Sequence, residues 1–286
     1  MKKIQNPAEF AFGVFVAVAC IIWIQLAWSF FHQFNDLNWI PDFMRLSRFV
    51  WQDFWFAHSF GETVLTFISI ITISALVFNG FKDVFDHLRW NRFVRQHKDE
   101  RLSEHWNRKF AFLGMPILVI KEQQFLALTS GISNPKIILS TGLIQGLDEK
   151  EMEAVLLHEA YHVTYRHPIK KWLLKRLARV MFYIPVLKGL SNYYAIWIEL
   201  LADRFAIERM EDSTPIASAL VKMINLGSIH FVPICADFSK TAINYRLKQI
   251  LDLEERQGVE LFSNKTLVSS VGIGMLVTTI VIFSCL

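Results

Sequence analysis

In the stretch LLHEAYHVTYRH, residues 156–167, two histidines stand four apart, and a glutamate follows the first. A helix turns once every 3.6 residues, so His158 and His162 would project from one face. Two imidazole nitrogens placed that way can hold a zinc ion at about 2.0–2.1 Å each. Glu159 would stand about 100° round the helix, beside the ion rather than on it. From there it can take a proton from an attacking water. That geometry is why H-E-x-x-H reads as a metalloprotease helix.

A third ligand is still needed. His167 is near, but the longer pattern H-E-x-x-H-x-x-G-x-x-H would place Gly at 165 and His at 168, where this chain has Tyr165 and Pro168. A better source is IELLADRFAIE, residues 198–208, where Glu199 and Asp203 are again four apart on a helical pattern. Glu199 completes a two-His, one-Glu set that leaves a fourth position open. Asp203, on the same face, can hydrogen-bond the far nitrogen of His158 and fix its tautomer. The apolar neighbours Ile196, Trp197, Leu200 and Leu201 speak against a solvated face. The expectation is one zinc ion per chain on His158, His162 and Glu199, with Glu159 catalytic. A structural zinc would want a fourth protein ligand, often cysteine, and Cys20, Cys235 and Cys285 are too scattered to supply one. Peptide hydrolysis also needs a donor for the developing oxyanion. Tyr161, Tyr165, His167, His230, Tyr245 and Arg246 are all candidates. His167 could equally cap the end of its helix, where the dipole favours a cation.

The elements that must hold these residues are partly visible. Asp148 and Glu151 are spaced as a capping box, and Pro168 ends a helix at or before His167, so the first helix should run from about Glu149 to Tyr165. Before it, PILVI (116–120), QFLALTS (124–130) and KIILS (136–140) are short β-prone runs. Gly131, Asn134 and Pro135 mark a turn between the last two. They predict a small three-stranded antiparallel sheet. A strand edge near 124–130 could hold an extended substrate by strand addition.

The composition places this unit beside a membrane. The chain of 286 residues is 53% hydrophobic, with 25 Phe and 9 Trp, yet 20% charged. That is too apolar for an ordinary soluble enzyme and too charged for spans alone. Three runs are long enough to cross a bilayer, which takes about 20 residues: roughly Phe10 to Phe31, Thr63 to Phe81 and Thr266 to Leu286. The first outruns a signal-peptide core and has no small-x-small cleavage site after it. Lys82, Arg89, Arg92, Arg95, Lys98, Arg101, Arg108 and Lys109 follow the second span, whereas the loop before it has only Arg45 and Arg48. The positive-inside rule then puts 82–265 in the cytoplasm and the C-terminus outside. The outer loop, with Trp39, Phe43, Trp51, Phe54, Trp55 and Phe56, suits the headgroup region. The basic run 82–109 carries acidic residues and adjoins a span, so it suits anionic lipid rather than nucleic acid. KKWLLKRLARVMFYIPVLKGL (170–190) is apolar on one side and basic on the other, as in an interfacial helix or a re-entrant hairpin. The domains read as 1–81 with two spans and the external loop, 82–265 as a cytoplasmic metalloprotease domain, and 266–286 as a third span. No span carries an ionisable residue at its centre, against a transporter.

NPKIILSTGLIQGLDEKEMEAVLLHEAYH followed by ELLADRFA resembles the membrane gluzincins. Within them it is most similar to the antirepressor metalloprotease family of β-lactam and methicillin sensor-transducers. The likeness runs from Pro135 to Leu143, through His158 to His162, to Glu199 and Asp203, over roughly residues 60 to 260. It implies a mainly α membrane protein with a zincin-like α+β cytoplasmic domain. It also implies zinc-dependent proteolysis, self-cleavage included, that removes a cytoplasmic transcriptional repressor. The chain departs from that family in having three clear spans rather than four and in ending at its last span, so a β-lactam sensor domain is not expected. ELLADRFA also resembles the CaaX prenyl protease and HtpX heat-shock protease family, which implies instead a quality-control or processing protease of membrane proteins.

Overall fold

A computed structural model describes residues 6–35, 60–131, 134–226, 239–252 and 258–284. Residues 36–59, which hold most of the aromatic loop expected on the outer side, and His230, Cys235 and Cys285 lie outside the described residues. The chain is mainly helical around one small sheet. It begins with α1 (Pro7–Asn35) and α2 (Phe60–His97), followed by β1 (Lys98–Asp99), α3 (Glu100–Lys109) and a short 3-10 turn. Strands β2 (Ile117–Ile120), β3 (Ala127–Ser130) and β4 (Lys136–Ser140) come next, then α4 (Thr141–Gly146) and α5 (Glu149–Thr164). Helices α6 (His167–Val180), α7 (Pro185–Met210), α8 (Thr214–Leu226), α9 (Ser239–Leu251) and α10 (Asn264–Ser284) complete the described chain.

The sheet corrects the antiparallel expectation. Its order is β1-β2-β4-β3, with β2 and β4 parallel and β3 antiparallel to β4. The hairpin of β3 and β4 forms at the expected turn, but β4 inserts between β2 and β3 and leaves β3 at the edge. Burial explains the order. ILVI and IIL are apolar at successive positions and nearly fully buried, which suits a centre covered on both faces. ALTS is half-buried throughout and mixed in character, which suits an edge. The fourth strand, two residues long, pairs Lys98 and Asp99 with Ile120 and Val119. Farther along β2, side chains take the place of a strand: Asn107 Oδ1 accepts from Ile117 N at 2.9 Å, and Ser103 Oγ accepts from Val119 N at 2.9 Å. Gly131 sits in the hairpin turn at φ 111°, a conformation open to glycine and costly for other residues.

Helix α5 starts as its sequence dictates. Asp148 Oδ1 accepts from Glu151 N and Glu151 Oε2 accepts from Asp148 N, each at 2.8 Å, so the reciprocal cap satisfies two donors that would otherwise be orphaned. Its apolar side, Met152, Val155, Leu156 and Ala160, packs on Val119, Ile137, Leu139 and Leu143. Burying one such large aliphatic side chain stabilises by roughly 1.5–3 kcal/mol. The helix ends at Thr164, and Arg166 takes a left-handed turn at φ 52°. Pro168 then stands as the second residue of α6, where a missing N–H costs nothing.

The chain divides into two compact units. One comprises Met1–Phe12, Asp83–Leu174 and Ser191–Glu260, and holds the sheet and α5. The other comprises Gly13–Lys82, Lys175–Leu190 and Leu261–Leu286. Among the described residues, three helices are long and apolar enough to cross a membrane: Pro7–Ser29, Val64–His97 and Asn264–Ile282. In the second unit their polar groups find one another: Gln25 Nε2 donates to Thr278 Oγ1 at 2.7 Å, Thr72 and Tyr183 hydroxyls lie 3.2 Å apart, and Val186 N donates to Ser270 Oγ at 2.9 Å. Ile21, Ile24, Trp28, Ile71, Val268 and Met275 are exposed, as lipid-facing side chains would be. The 170–190 stretch is a helix, a corner at 181–184 and a second helix beginning at Pro185.

Candidate metal centre

The capped register of α5 puts His158 and His162 one turn apart on the face turned to α7, and α7 brings Glu199 and Asp203 to meet them. His158 Nε2 and His162 Nε2 are 3.2 Å apart. Glu199 Oε2 is 3.3 Å from His158 Nε2, and its Oε1 is 3.7 Å from His162 Nε2. These three side chains could hold a metal ion. Their geometry passes a simple test. Four ligands at about 2.0–2.1 Å in a tetrahedron lie about 3.3–3.4 Å from one another, and the three separations bracket that value. The donor chemistry agrees. Neither Nε2 of a neutral imidazole pair so placed has a donor to offer the other if both keep lone pairs inward, so a cation between them resolves the contact.

Each histidine is held from behind, by different chemistry. His158 Nδ1 is 2.8 Å from Asp203 Oδ1. Arg246, from α9, clamps the same carboxylate: its Nε donates to Oδ2 at 2.7 Å and its Nη2 to Oδ1 at 2.8 Å. Asp203 is fully buried. His162 Nδ1 is 2.8 Å from Nδ1 of His167. With the His162 Nε2 lone pair turned inward, its Nδ1 carries the hydrogen, so His167 accepts on Nδ1 and keeps its own hydrogen on Nε2. His167 is buried, and its ring lies against Tyr161, Tyr165 and Tyr194. Burial, then the neighbouring His162 and Lys170, hold its pKa far below the ordinary histidine range, in keeping with a neutral acceptor.

The field across the cluster favours a cation. Burial and the Arg246 charge act to lower the His158 pKa, but Asp203 and then Glu199 outweigh them and raise it to about 9. Burial acts to raise the Glu199 pKa, but the charges of His162 and Lys171 and the bonds from both imidazoles hold it well below the usual carboxylate range. Asp203 is likewise lowered: Arg246 and His158 overcome its burial. A proton answers this field, and so does a divalent ion.

Glu159 stays off the three-ligand set. It is 7% exposed, and its carboxylate faces the sheet edge, where Thr129 Oγ1 lies 2.8 Å from Oε2 and 3.1 Å from the Glu159 carbonyl oxygen. Of the other residues singled out, Tyr161 is packed among Tyr165, Phe205 and His167, with its pKa pushed to about 12, chiefly by burial. Tyr245 packs beside Ile196, Leu200 and Ala242. His167 spends its Nδ1 on His162, Arg246 spends its Nε and Nη2 on Asp203, and Arg246 Nη1 lies 3.7 Å from Glu199 Oε2.

Sequence reasoning did not find Thr129 or the nearness of Lys171, whose Nζ is 3.6 Å from Glu199 Oε1. A signal for Thr129 existed. In a strand, alternate residues share a face, and Leu126 and Leu128 pack on the side of Ile120 and Ile138 while Ala127 packs with the α5 core. Thr129 shares the face of Ala127, so it is a hydroxyl on the helix side.

No curated protein matches this chain. The model of peptidase family M48 matches residues 95–196, a stretch that holds the sheet, α5 with His158, Glu159 and His162, and the start of α7, and that ends just before Glu199.

Proposed function

We propose that this chain is a membrane-bound zinc endopeptidase that works at the cytoplasmic face. The observation that carries the reading is the meeting of His158, His162 and Glu199 from two helices with Glu159 alongside, in a region that matches a peptidase family. A zinc ion on those three side chains would supply Lewis acidity toward the substrate carbonyl and a lowered pKa for the attacking water. Glu159 accepts the proton of that water and later delivers it to the leaving amine. Asp203, braced by Arg246, and His167 fix the two imidazole rings and their tautomers, as carboxylates and carbonyls behind metal ligands do elsewhere. The open edge of β3 offers main-chain groups to an extended peptide.

Glu159→Gln tests this directly. Cleavage of a membrane or peptide substrate should fall by a factor of about 10² or more, the scale of a lost general base, with one zinc per chain retained. A variant that still cleaves removes Glu159 from its role. A protein that carries zinc and cleaves nothing in any form points to a non-catalytic sensor or scaffold.

For the biological role the chosen reading is regulatory proteolysis of a cytoplasmic transcriptional repressor, with self-cleavage. The buried Ala202 in ELLADRFA fits the pattern of the quality-control proteases as well. New protein termini compared between the parent and Glu159→Gln strains separate them: one repressor in the first case, many membrane proteins in the second. Placement of the 82–265 segment in the cytoplasm rests on Lys82, Arg89, Arg92 and Arg95, which follow the apolar stretch 63–81 within α2. Labelling of single cysteines introduced near residue 104 and near residue 260 from either side of the membrane tests it.

A further inference from the structure

We propose that Thr129 is a positioning residue that decides which oxygen of Glu159 handles the proton; this rests on the general-base reading of Glu159. Among the described residues, Thr129 is the hydrogen-bond partner of the Glu159 carboxylate, and it engages Oε2 at 2.8 Å. Oε1 is left open. The same hydroxyl also lies 3.1 Å from the main-chain oxygen of Glu159. A hydroxyl has one hydrogen and two lone pairs, so it can donate to only one of these at a time. While Glu159 is ionised, the shorter, charge-assisted bond to Oε2 takes the hydrogen. That bond holds the carboxylate plane still and reserves Oε1 for the reaction.

The proton then follows one route. Water gives a proton to Oε1 as its oxygen bonds to the carbonyl carbon and the C=O π pair moves onto the carbonyl oxygen. That pair re-forms the C=O bond as the C–N bond breaks, and the leaving nitrogen takes the proton from Oε1. Thr129 keeps its hydrogen throughout. The second acceptor supplies a resting place. With Glu159 protonated, Oε2 is a weaker acceptor, and the hydrogen can turn toward the main-chain oxygen with no heavy atom moving. Two features make Thr the fitting residue. It sits in β3, where a β-branched side chain has few χ1 choices. It also lies on the strand face turned to α5, so the strand that would align a peptide is tied to the group that would move its proton.

The test uses the full-length protein in membranes or detergent. Thr129→Val removes the hydroxyl at nearly constant shape, and Thr129→Ser keeps the hydroxyl. The Val variant should lose about 10–100-fold in kcat, the scale of a misplaced catalytic group, with KM within about threefold and zinc content equal to the parent. The Ser variant should recover most of the loss. An independent reading needs neither zinc nor substrate. The Glu159 carboxylate stretch, isolated as the infrared difference between the parent and Glu159→Gln, should shift in Thr129→Val and return in Thr129→Ser. A Val variant with parental kcat, a Ser variant as slow as Val, or an unshifted carboxylate band overturns the proposal. If the parent cleaves nothing, the proteolytic reading fails, while the infrared band still decides the contact.

Discussion

Two buried acid clusters lie along the single helix α5, and they are built to opposite ends. Near its start, every oxygen of Glu151 is taken: Oε1 accepts from Ser218 at 2.6 Å, and Oε2 accepts from Asp148 N at 2.8 Å and Lys222 Nζ at 2.7 Å. The cluster joins the α5 cap to α8 and is finished by its own donors. Farther along, at His158 and His162, the inward-facing atoms are two imidazole nitrogens and a carboxylate, all acceptors once the rings are neutral. Every outward atom is anchored, by Asp203 and Arg246 on one side and His167 on the other. The first cluster closes on itself; in the second the two Nε2 atoms and the Glu199 carboxylate face a common centre, and the nearest side-chain cations, Lys171 and Arg246, stay 3.6 and 3.7 Å from Glu199. Burial does not distinguish them, since Glu151 and His158 are 4% and 5% exposed. The balance of donors and acceptors does.

The comparison breaks most visibly in metal binding. Glu199→Gln or His158→Ala should weaken zinc affinity by a factor of about 100 or more and abolish cleavage, because each removes one of three ligands; Glu151→Gln should change neither. Competition with a chromophoric chelator measures this, and equal effects at the two sites would erase the distinction. Next in size is Asp203→Asn. Loss of its charge behind His158 should cost about 10–100-fold in zinc affinity, read in the same titration. Smaller again is the stability effect of Glu151→Gln. Gln can still reach back to the cap, so what is lost is the charged bond to Lys222. Lys222 is more than a third exposed, so the loss should be about 0.5–1 kcal/mol, visible as a Tm lowered by about 2–4 °C or less with zinc content unchanged.

The smallest effect is that of pH. Burial acts to raise the Glu151 pKa, but Lys222, Ser218 and the Asp148 amide outweigh it and hold it below the ordinary glutamate value. A carboxylate with a depressed folded pKa gives stability that is fully present above the unfolded pKa. That stability is lost as pH falls through the folded value. The Tm gap between the parent and Glu151→Gln should therefore be constant at neutral pH and shrink only as acid takes the pH below about 4.5. A gap that persists unchanged in strong acid would mean that the charge of Glu151 contributes nothing.

How much of this could be read beforehand depends on distance along the chain. The Asp148–Glu151 box and the two pairs at i, i+4 were legible, because a helix brings such neighbours together by its pitch alone. The apolar runs were legible for the same reason: length and composition suffice to mark a span. Strand order was not. The antiparallel expectation followed chain order, whereas the sheet places β4 in the middle because its residues are the ones that can be buried on both faces. From the sequence, Arg246 is one of several candidate oxyanion donors, and His167 is either such a donor or a cap for its helix. Packing gave Arg246 to Asp203 and His167 to His162.

The sequence by itself determined the chemistry on each helix: two nitrogens on one face of α5, a carboxylate pair on one face of α7, and a glutamate set one residue round from the first histidine. Local backbone geometry enforces those relations wherever a helix forms. Only the tertiary structure decided that α7 lies against α5 so that Glu199 completes the set, and that β3 lies at the edge with Thr129 against Glu159. Those contacts join residues tens of positions apart. They are set by which surfaces bury most completely, a property of the folded whole that no short stretch carries.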